Sequence, residues 1–268
     1  MLRSNADNTR GVNMRAVTRI VSSAVLLAAL SACGGGHPRG IPSRFDDVDP
    51  YAWRQNAPDT YPVHGIDVSR WQGQIDWHRV SGSGVAFAFI KATEGGDVAD
   101  PLFAHHWQGA TAAGIPAGAY HFYYHCRGGA EQALWFLENA PPRAGTLPPV
   151  LDIEWTQSRN CPRRPDPETV RAEAQAFLDV VTAAWGKRPV IYTTVDFWTE
   201  NEMWRLGGYP FWLRSVAGHP QETYGHRHWT FWQYTGTGRV PGIANEVDLN
   251  AFAGSEAEWQ AWLAAATL

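Results

Sequence analysis

The 268-residue chain is poor in cysteine and in lysine runs, and no apolar stretch is long enough to cross a membrane. Its three cysteines, Cys33, Cys126 and Cys161, are too few for a disulfide-framework domain, and none belongs to a closely spaced Cys/His set of the kind that holds zinc. Residues 1–32 hold four Arg and one Asp, so the remainder carries 18 basic against 25 acidic residues, a net charge of −7. With no basic patch, charge-driven binding to nucleic acid or to an anionic membrane surface is excluded as a main role. The glycine run Gly34-Gly35-Gly36 precedes no helix that would cradle a phosphate, so neither a metal nor a nucleotide cofactor is expected.

What is present begins with an export signal. Arg15 and Arg19 precede an apolar run, Ile20 to Leu30, that falls short of the roughly 20 residues of a membrane span and fits a signal-peptide core. It ends in Leu30-Ser31-Ala32-Cys33, which resembles the bacterial lipoprotein signal, cut before a cysteine that then carries the lipid. An ordinary secretory signal shares the small residues at the cut site and is the alternative. Met14 lies closer to the run than Met1 and is a second candidate start. The expected location is the cell envelope, lipid-anchored through Cys33. Gly34 lacks the aspartate that marks inner-membrane retention, so the outer membrane is expected in a Gram-negative host. Residues 33–61, rich in Gly, Pro, Asp and Arg without periodicity, read as a flexible tether to a body at 62–268. That length suits one domain with one large core, and a monomer is expected. Export permits Cys126 and Cys161 to pair; the sequence leaves the pairing open, because it does not fix their separation.

Within the body, β-branched and aromatic runs predict strands near His64–Val68, Ala86–Lys91, Gly118–Tyr123, Val150–Glu154, Pro189–Thr193, Phe211–Arg214, Thr230–Gln233 and Glu246–Leu249. Asp100-Pro101 and Asp166-Pro167 each read as a capping acid followed by a proline at the first helical position. Helical spacing of Val170, Ala174, Phe177, Leu178, Val181 and Trp185 extends the second helix until Gly186 and Pro189 end it. Eight strands alternating with helices predict an α/β fold, a single-domain, modified TIM-like β/α barrel. Its last third is spaced too tightly for full helices and is expected to be irregular. An open sheet is the competing architecture.

The chemistry concentrates in acids at strand ends. Asp152 and Glu154, two residues apart in Pro149-Val150-Leu151-Asp152-Ile153-Glu154-Trp155, share a face of their strand. Asp67 closes the first strand and Asp248 lies in the last, so a parallel barrel gathers all four at its active-site mouth. Mutual repulsion would raise at least one pKa and leave a proton donor near neutral pH. A carboxylic acid with a nearby carboxylate is the equipment of glycoside hydrolysis. Fourteen tryptophans exceed what a core of this size needs, and indole faces are surfaces on which sugars stack.

The segments His64-Gly65-Ile66-Asp67-Val68-Ser69-Arg70-Trp71-Gln72-Gly73, Phe89-Ile90-Lys91-Ala92-Thr93-Glu94-Gly95, Gly118-Ala119-Tyr120-His121-Phe122 and Asp152-Ile153-Glu154 are joined by Ile191-Tyr192, Phe231-Trp232-Gln233-Tyr234 and Val247-Asp248-Leu249-Asn250-Ala251-Phe252. In order and spacing this set resembles the glycoside hydrolase family 25 lysozymes, the Chalaropsis-type N-acetylmuramidases, from about Tyr61 to the C-terminus. The resemblance implies a modified β/α barrel that hydrolyses the β-1,4 bond between N-acetylmuramic acid and N-acetylglucosamine in peptidoglycan. It makes Glu154 the general acid, puts Asp67, Asp152, Asp248 and Tyr120 in the catalytic pocket, and draws Tyr192 and Trp232 into the substrate groove. Where the family commonly has tryptophan, a small residue and an aromatic on the sixth strand, this chain has Trp212-Leu213-Arg214-Ser215.

The residues themselves assign Asp152 to charge stabilisation or to orienting the sugar's acetamido group, and Trp71 and Trp232 each to sugar stacking or core packing. Lys91 and Glu94 read as a structural ion pair, and His64, His121, His226 and His228 as hydrogen-bonded structural histidines. Two other functions fit the same barrel. One is a non-catalytic peptidoglycan-binding lipoprotein. The other is a chitinase-like glycosidase, whose Asp-x-x-Asp-x-Asp-x-Glu strand is not matched by Pro148, Pro149, Val150 and Leu151 before Asp152.

Overall fold

The computed structural model describes residues 40–267 apart from residues 157 and 160. The export signal, Cys33 and the first part of the expected tether lie outside the described residues. In chain order the elements are β1 (Asp46–Asp47), β2 (His64–Val68), α1 (Trp77–Gly82), β3 (Phe87–Glu94), β4 (Val98–Ala99), α2 (Phe103–Ala112), β5 (Ala117–Phe122), α3 (Gly129–Asn139), β6 (Val150–Asp152), α4 (Pro167–Trp185), β7 (Val190–Thr193), α5 (Val195–Glu200), β8 (Phe211–Arg214), α6 (Pro220–Thr223), β9 (Phe231–Arg239), β10 (Val247–Phe252) and α7 (Glu256–Ala266). Among the described residues no helix is long and apolar enough to cross a membrane.

All eight expected strands are present, and they close. Parallel pairing runs β2-β3-β5-β6-β7-β8-β9, and β10 completes the ring antiparallel to both β9 and β2. The expected irregular last third is this reversed strand. Reversal has a consequence for the site: Asp248, second in β10, lies directly opposite Asp67, next to last in β2. An acid at the start of one strand thus reaches the mouth formed by the ends of the others.

Two-residue alternation sorts the side chains between two cores. In β3, Ala88, Ile90 and Ala92 face the helices, whereas Phe87 and Phe89 fill the barrel below Lys91. Inside, Phe89 stacks on Trp212 with ring centroids 4.7 Å apart, and Phe87 lies 5.0 Å from Phe231. Room for these rings comes from two glycines: a Cβ on Gly65 would meet the Phe87 ring at 2.4 Å, and one on Gly118 the Phe89 ring at 2.9 Å. The floor is closed by Trp259 of α7, whose ring is 5.3 Å from Phe87. A Ser255–Glu258 capping box starts that helix. The acids therefore sit on a packed aromatic plug rather than over an open channel.

The helix at Pro167 starts as expected, with Asp166 accepting the Thr169 N–H, and ends at Gly186 in the left-handed conformation. Asp100 departs from expectation. It is not the cap of α2, which begins at Phe103; its two oxygens accept the N–H groups of Leu102 and Arg70 instead.

The boundary between tether and body also needs correction. From Gly40 onward the segment expected to be flexible is packed on the barrel: Ile41 and Phe45 are buried, β1 pairs with β9, and Trp53 meets Trp232 edge-on at 5.1 Å. Its Gly/Pro/Asp composition reflects turns on a surface, and its few apolar residues do the anchoring. Phe45→Ala should therefore cost about 3 kcal/mol, the usual range for emptying a buried phenylalanine site. Urea unfolding would measure it, and an unchanged midpoint would return Phe45 to the tether.

Candidate active site

The mouth of the barrel opens into a cavity of about 630 Å³ lined by Asp67, Tyr120, Asp152, Glu154, Tyr192 and Asp248, with Trp71, Lys91, Trp212, Arg214 and Gln233 around them. Asp67, one residue before the end of β2, is held by two amides. Asn250 Nδ2 donates to Asp67 Oδ2 at 2.8 Å and Gln233 Nε2 donates to the same oxygen at 2.9 Å. Each amide is fixed in turn, because Trp212 Nε1 donates to Asn250 Oδ1 at 2.7 Å and the Tyr192 hydroxyl donates to Gln233 Oε1 at 2.9 Å. Four side chains from β7, β8, β9 and β10 thus orient one carboxylate on β2.

Burial pushes all four acids upward. Asp67 rises only to about 6, because its amide donors and the charge of Arg214 oppose the loss of water. Glu154, just beyond the end of β6, is pushed to about 7 by burial, with Arg214 pulling it down and Asp196 and Asp67 pushing it up. Asp152 and Asp248 are driven well above the usual carboxylate range, by burial first and then by the charge of their neighbours: Glu154 for Asp152, Asp67 for Asp248. In the free protein at neutral pH, Asp67 is therefore the ionised acid, whereas Glu154 carries a proton about half the time. Asp152, to which the sequence gives charge stabilisation or the orienting of the acetamido group, is held protonated by this burial rather than standing as a carboxylate. Asp152 Oδ1 finds no hydrogen-bond partner among the described residues.

Neighbouring groups set this arrangement. Lys91 pairs with Glu94, whose other oxygen accepts from the Tyr124 hydroxyl at 3.2 Å; the Lys91 charge also reaches Asp152. His125 Nε2 donates to the Glu154 carbonyl at 3.0 Å and is kept neutral by burial. The next residue, Cys126, forms a disulfide with Cys161, their Cα atoms 5.7 Å apart. That bond ties the loop after β6 to the loop after β5. Trp155 packs on the far side of Glu154 from the barrel, its Nε1 donating to Glu200 at 2.7 Å.

The remaining sequence candidates divide. Tyr120 and Tyr192 line the cavity, and both hydroxyls are held protonated by burial and the acids around them. Trp71 stands 70 % exposed at the rim, on a short helical turn fixed by the Ser69–Gln72 capping box, with the Arg70 guanidinium 4.9 Å from its ring. Trp232 does not reach the groove. It is fully buried on the outside of the barrel wall, its Nε1 donating to the Ser215 carbonyl at 2.8 Å. Phe231 and Gln233 take the inward positions of β9, so Gln233 is the residue that this motif gives to the site. His64 and His121 are buried and doubly hydrogen-bonded, and burial lowers them to about 3 and about 4. His226 and His228 are exposed and do not line the cavity.

The sequence reading gave no role to Gln233, Asn250 or Arg214. For the two amides the signal was available, since Asn250 shares the parity of Asp248 in its strand. Arg214 stands two residues after Trp212 and faces inward with it. No carboxylate lies within 4 Å of its guanidinium among the described residues.

Comparison with known proteins adds the following. Residues 66–243 match the model of the family described as Glycosyl hydrolases family 25. Lysozyme M1 of Streptomyces globisporus is 40% identical over 207 residues, 74% of this chain and 70% of that protein. A family 25 glycosyl hydrolase from Bacillus anthracis superposes with a TM-score of 0.71 at 34% identity, over 76% of this chain and 94% of that one. The bacterial lysozyme from Streptomyces coelicolor gives 0.69 at 39% identity, over 78% and 98%.

Proposed function

The chain belongs to the family 25 glycosyl hydrolases, and from that premise we propose that it is a lysozyme, an N-acetylmuramidase that cleaves the β-1,4 bond between N-acetylmuramic acid and N-acetylglucosamine in peptidoglycan. The observation that carries the reading is Glu154, an acid pushed to about 7 in a mouth it shares with three aspartates, two of them buried. A carboxyl half-protonated at neutral pH is matched to delivering a proton and taking one back.

Glu154 gives its proton to the glycosidic oxygen as the bond from that oxygen to the anomeric carbon breaks, and the N-acetylglucosamine leaves as an alcohol. Positive charge develops on the muramic acid ring. Asp152 faces that charge, which opposes the burial that keeps this acid neutral, and its carboxyl on the cavity wall accepts the acetamido N–H. Water then adds at the anomeric carbon and returns a proton to Glu154. Asp67, held by its two amides, supplies the fixed negative charge of the site.

The deciding experiment is mass spectrometry of the soluble fragments released from purified peptidoglycan by protein lacking residues 1–33. Reducing ends of N-acetylmuramic acid are expected. Reducing N-acetylglucosamine would reassign the bond cleaved, and no release with retained binding would make the protein a tether to the wall.

Trp71 is a sugar platform in this proposal: so exposed an indole, braced by Arg70, pays for its hydration only when something covers it. Trp71→Ala should raise KM roughly tenfold with kcat little changed, as loss of stacking shared by ground and transition states requires. A fall in kcat alone would remove it from the groove. The proposal also places the enzyme on the envelope through lipid on Cys33; support comes from the Leu30-Ser31-Ala32-Cys33 pattern, and an N-terminal peptide without lipid would refute it.

A further inference from the structure

Beside the acidic cavity lies a second one of about 590 Å³, and Glu154 and Arg214 line both. Its walls include Trp155, Arg164, Thr194 and Asp196. Arg164 is laid over the Trp155 ring, its guanidinium carbon 4.8 Å from the centroid, three residues after the disulfide-bonded Cys161. Stacking of this kind fixes the plane of a guanidinium and leaves its edge donors free. Among the described residues no carboxylate lies within 4 Å of the guanidinium of either Arg164 or Arg214. The cavity also holds Asp196, which accepts the Thr194 hydroxyl at 2.6 Å and whose charge reaches Glu154, so two guanidiniums there stand against one aspartate.

Resting on the muramidase reading, we propose that Arg164 and Arg214 form a carboxylate-binding subsite that takes the anionic substituent on O3 of the muramic acid ring. Muramic acid differs from the glucosamine beside it only in that lactyl ether, so an enzyme that tells the two apart must read that group. The ring whose anomeric carbon reacts lies against Glu154, and O3 leaves it two carbons away. A carboxylate turned into the main cavity would be repelled by ionised Asp67, and by Glu154 once its proton is given up. The side of Glu154 lined by Arg164 and Arg214 is where it finds opposite charge, on guanidiniums of the kind that bind a carboxylate through paired hydrogen bonds. The carboxylate has two sources: the lactyl group itself, where the stem peptide has been removed, or the acidic groups of the stem.

The test uses four substrates: stem-bearing glycan strands, strands freed of stems by an amidase, and each of these after carbodiimide coupling to methylamine, which removes the carboxylate charge. For wild type, kcat/KM should fall about tenfold or more on coupling. Arg164→Gln should lose a similar factor on uncoupled strands and be indifferent to coupling, whereas Arg214→Gln, which also withdraws charge from Asp67 and Glu154, should lose rate on all four and no longer distinguish coupled from uncoupled strands. Preference persisting on stem-free strands assigns the lactyl carboxylate; preference confined to stem-bearing strands assigns the stem. Equal cleavage of coupled and uncoupled strands by wild type would overturn the proposal, as would an Arg164→Gln protein that loses the same factor on both. Calorimetric binding of the same four substrates to Glu154→Gln protein gives a reading independent of cleavage. If wild type releases no muramic acid ends, the muramidase reading fails, whereas charge-dependent binding still upholds the subsite and charge-independent binding overturns it.

Discussion

Replacing Glu154 with glutamine is expected to lower kcat about a thousandfold while leaving the affinity for peptidoglycan nearly unchanged. Glutamine keeps the size and one acceptor oxygen of the acid but has no proton to give, and general acid catalysis contributes on the order of 10²- to 10⁴-fold. The pH profile should carry the same signature. Glu154 works as a donor only while protonated, so kcat/KM falls as pH rises through about 7. Asp67 works as an anion, so the rate also falls as pH drops through about 6. The two limbs enclose a narrow optimum, and because these acids interact, its midpoints belong to the cluster rather than to either residue. A variant that kept the parent rate, or a parent profile flat from about pH 5 to about pH 9, would dismiss Glu154 as the donor.

The site was legible in the sequence to the extent that strand parity carries it. Once β2, β6 and β10 are drawn, Asp67, Asp152 and Asp248 fall on inward positions by counting in twos, and Glu154 follows Asp152. The same count, applied to β9, puts Gln233 and Phe231 inside and Trp232 outside. For Trp232 residue type leaves stacking and packing open, and the resemblance draws it into the groove; parity decides for packing, since an indole is as suited to the aromatic layer formed with Trp53, Tyr61 and His219 as to a sugar.

Three features were beyond that count. Charge on Asp152 depends on how much water its neighbours exclude, a property of the whole mouth rather than of a strand. Residues 40–61 have the composition of a linker, and only the tertiary contacts of Ile41, Phe45 and Trp53 make them part of the body. Arg214 could be counted inward, but its isolation from any close carboxylate and its place between two cavities come from the loops after β6 and β8, which no periodicity describes.

Asp152→Asn is expected to cost about 10²- to 10³-fold in kcat and at the same time to stabilise the protein, increasingly so as pH rises. The sign follows from its shift. Asp152 has a higher pKa folded than unfolded, because burial and the Glu154 charge oppose its ionisation. The folded state therefore holds the proton through an interval in which the unfolded chain has released it, and the wild-type contribution of this residue is most favourable at low pH and declines as pH rises above the ordinary aspartate range. Asparagine keeps the shape and never ionises. Melting temperatures of the two proteins should be close near pH 4 and separate by a few degrees near pH 8, with the variant higher. A variant less stable by the same amount at both pH values would make Asp152 a structural hydrogen-bonding residue. The predicted outcome, a sturdier protein with almost no activity, is what a buried acid kept for a cationic transition state should give, since the charge that would repay its desolvation exists only while the glycosidic bond is breaking.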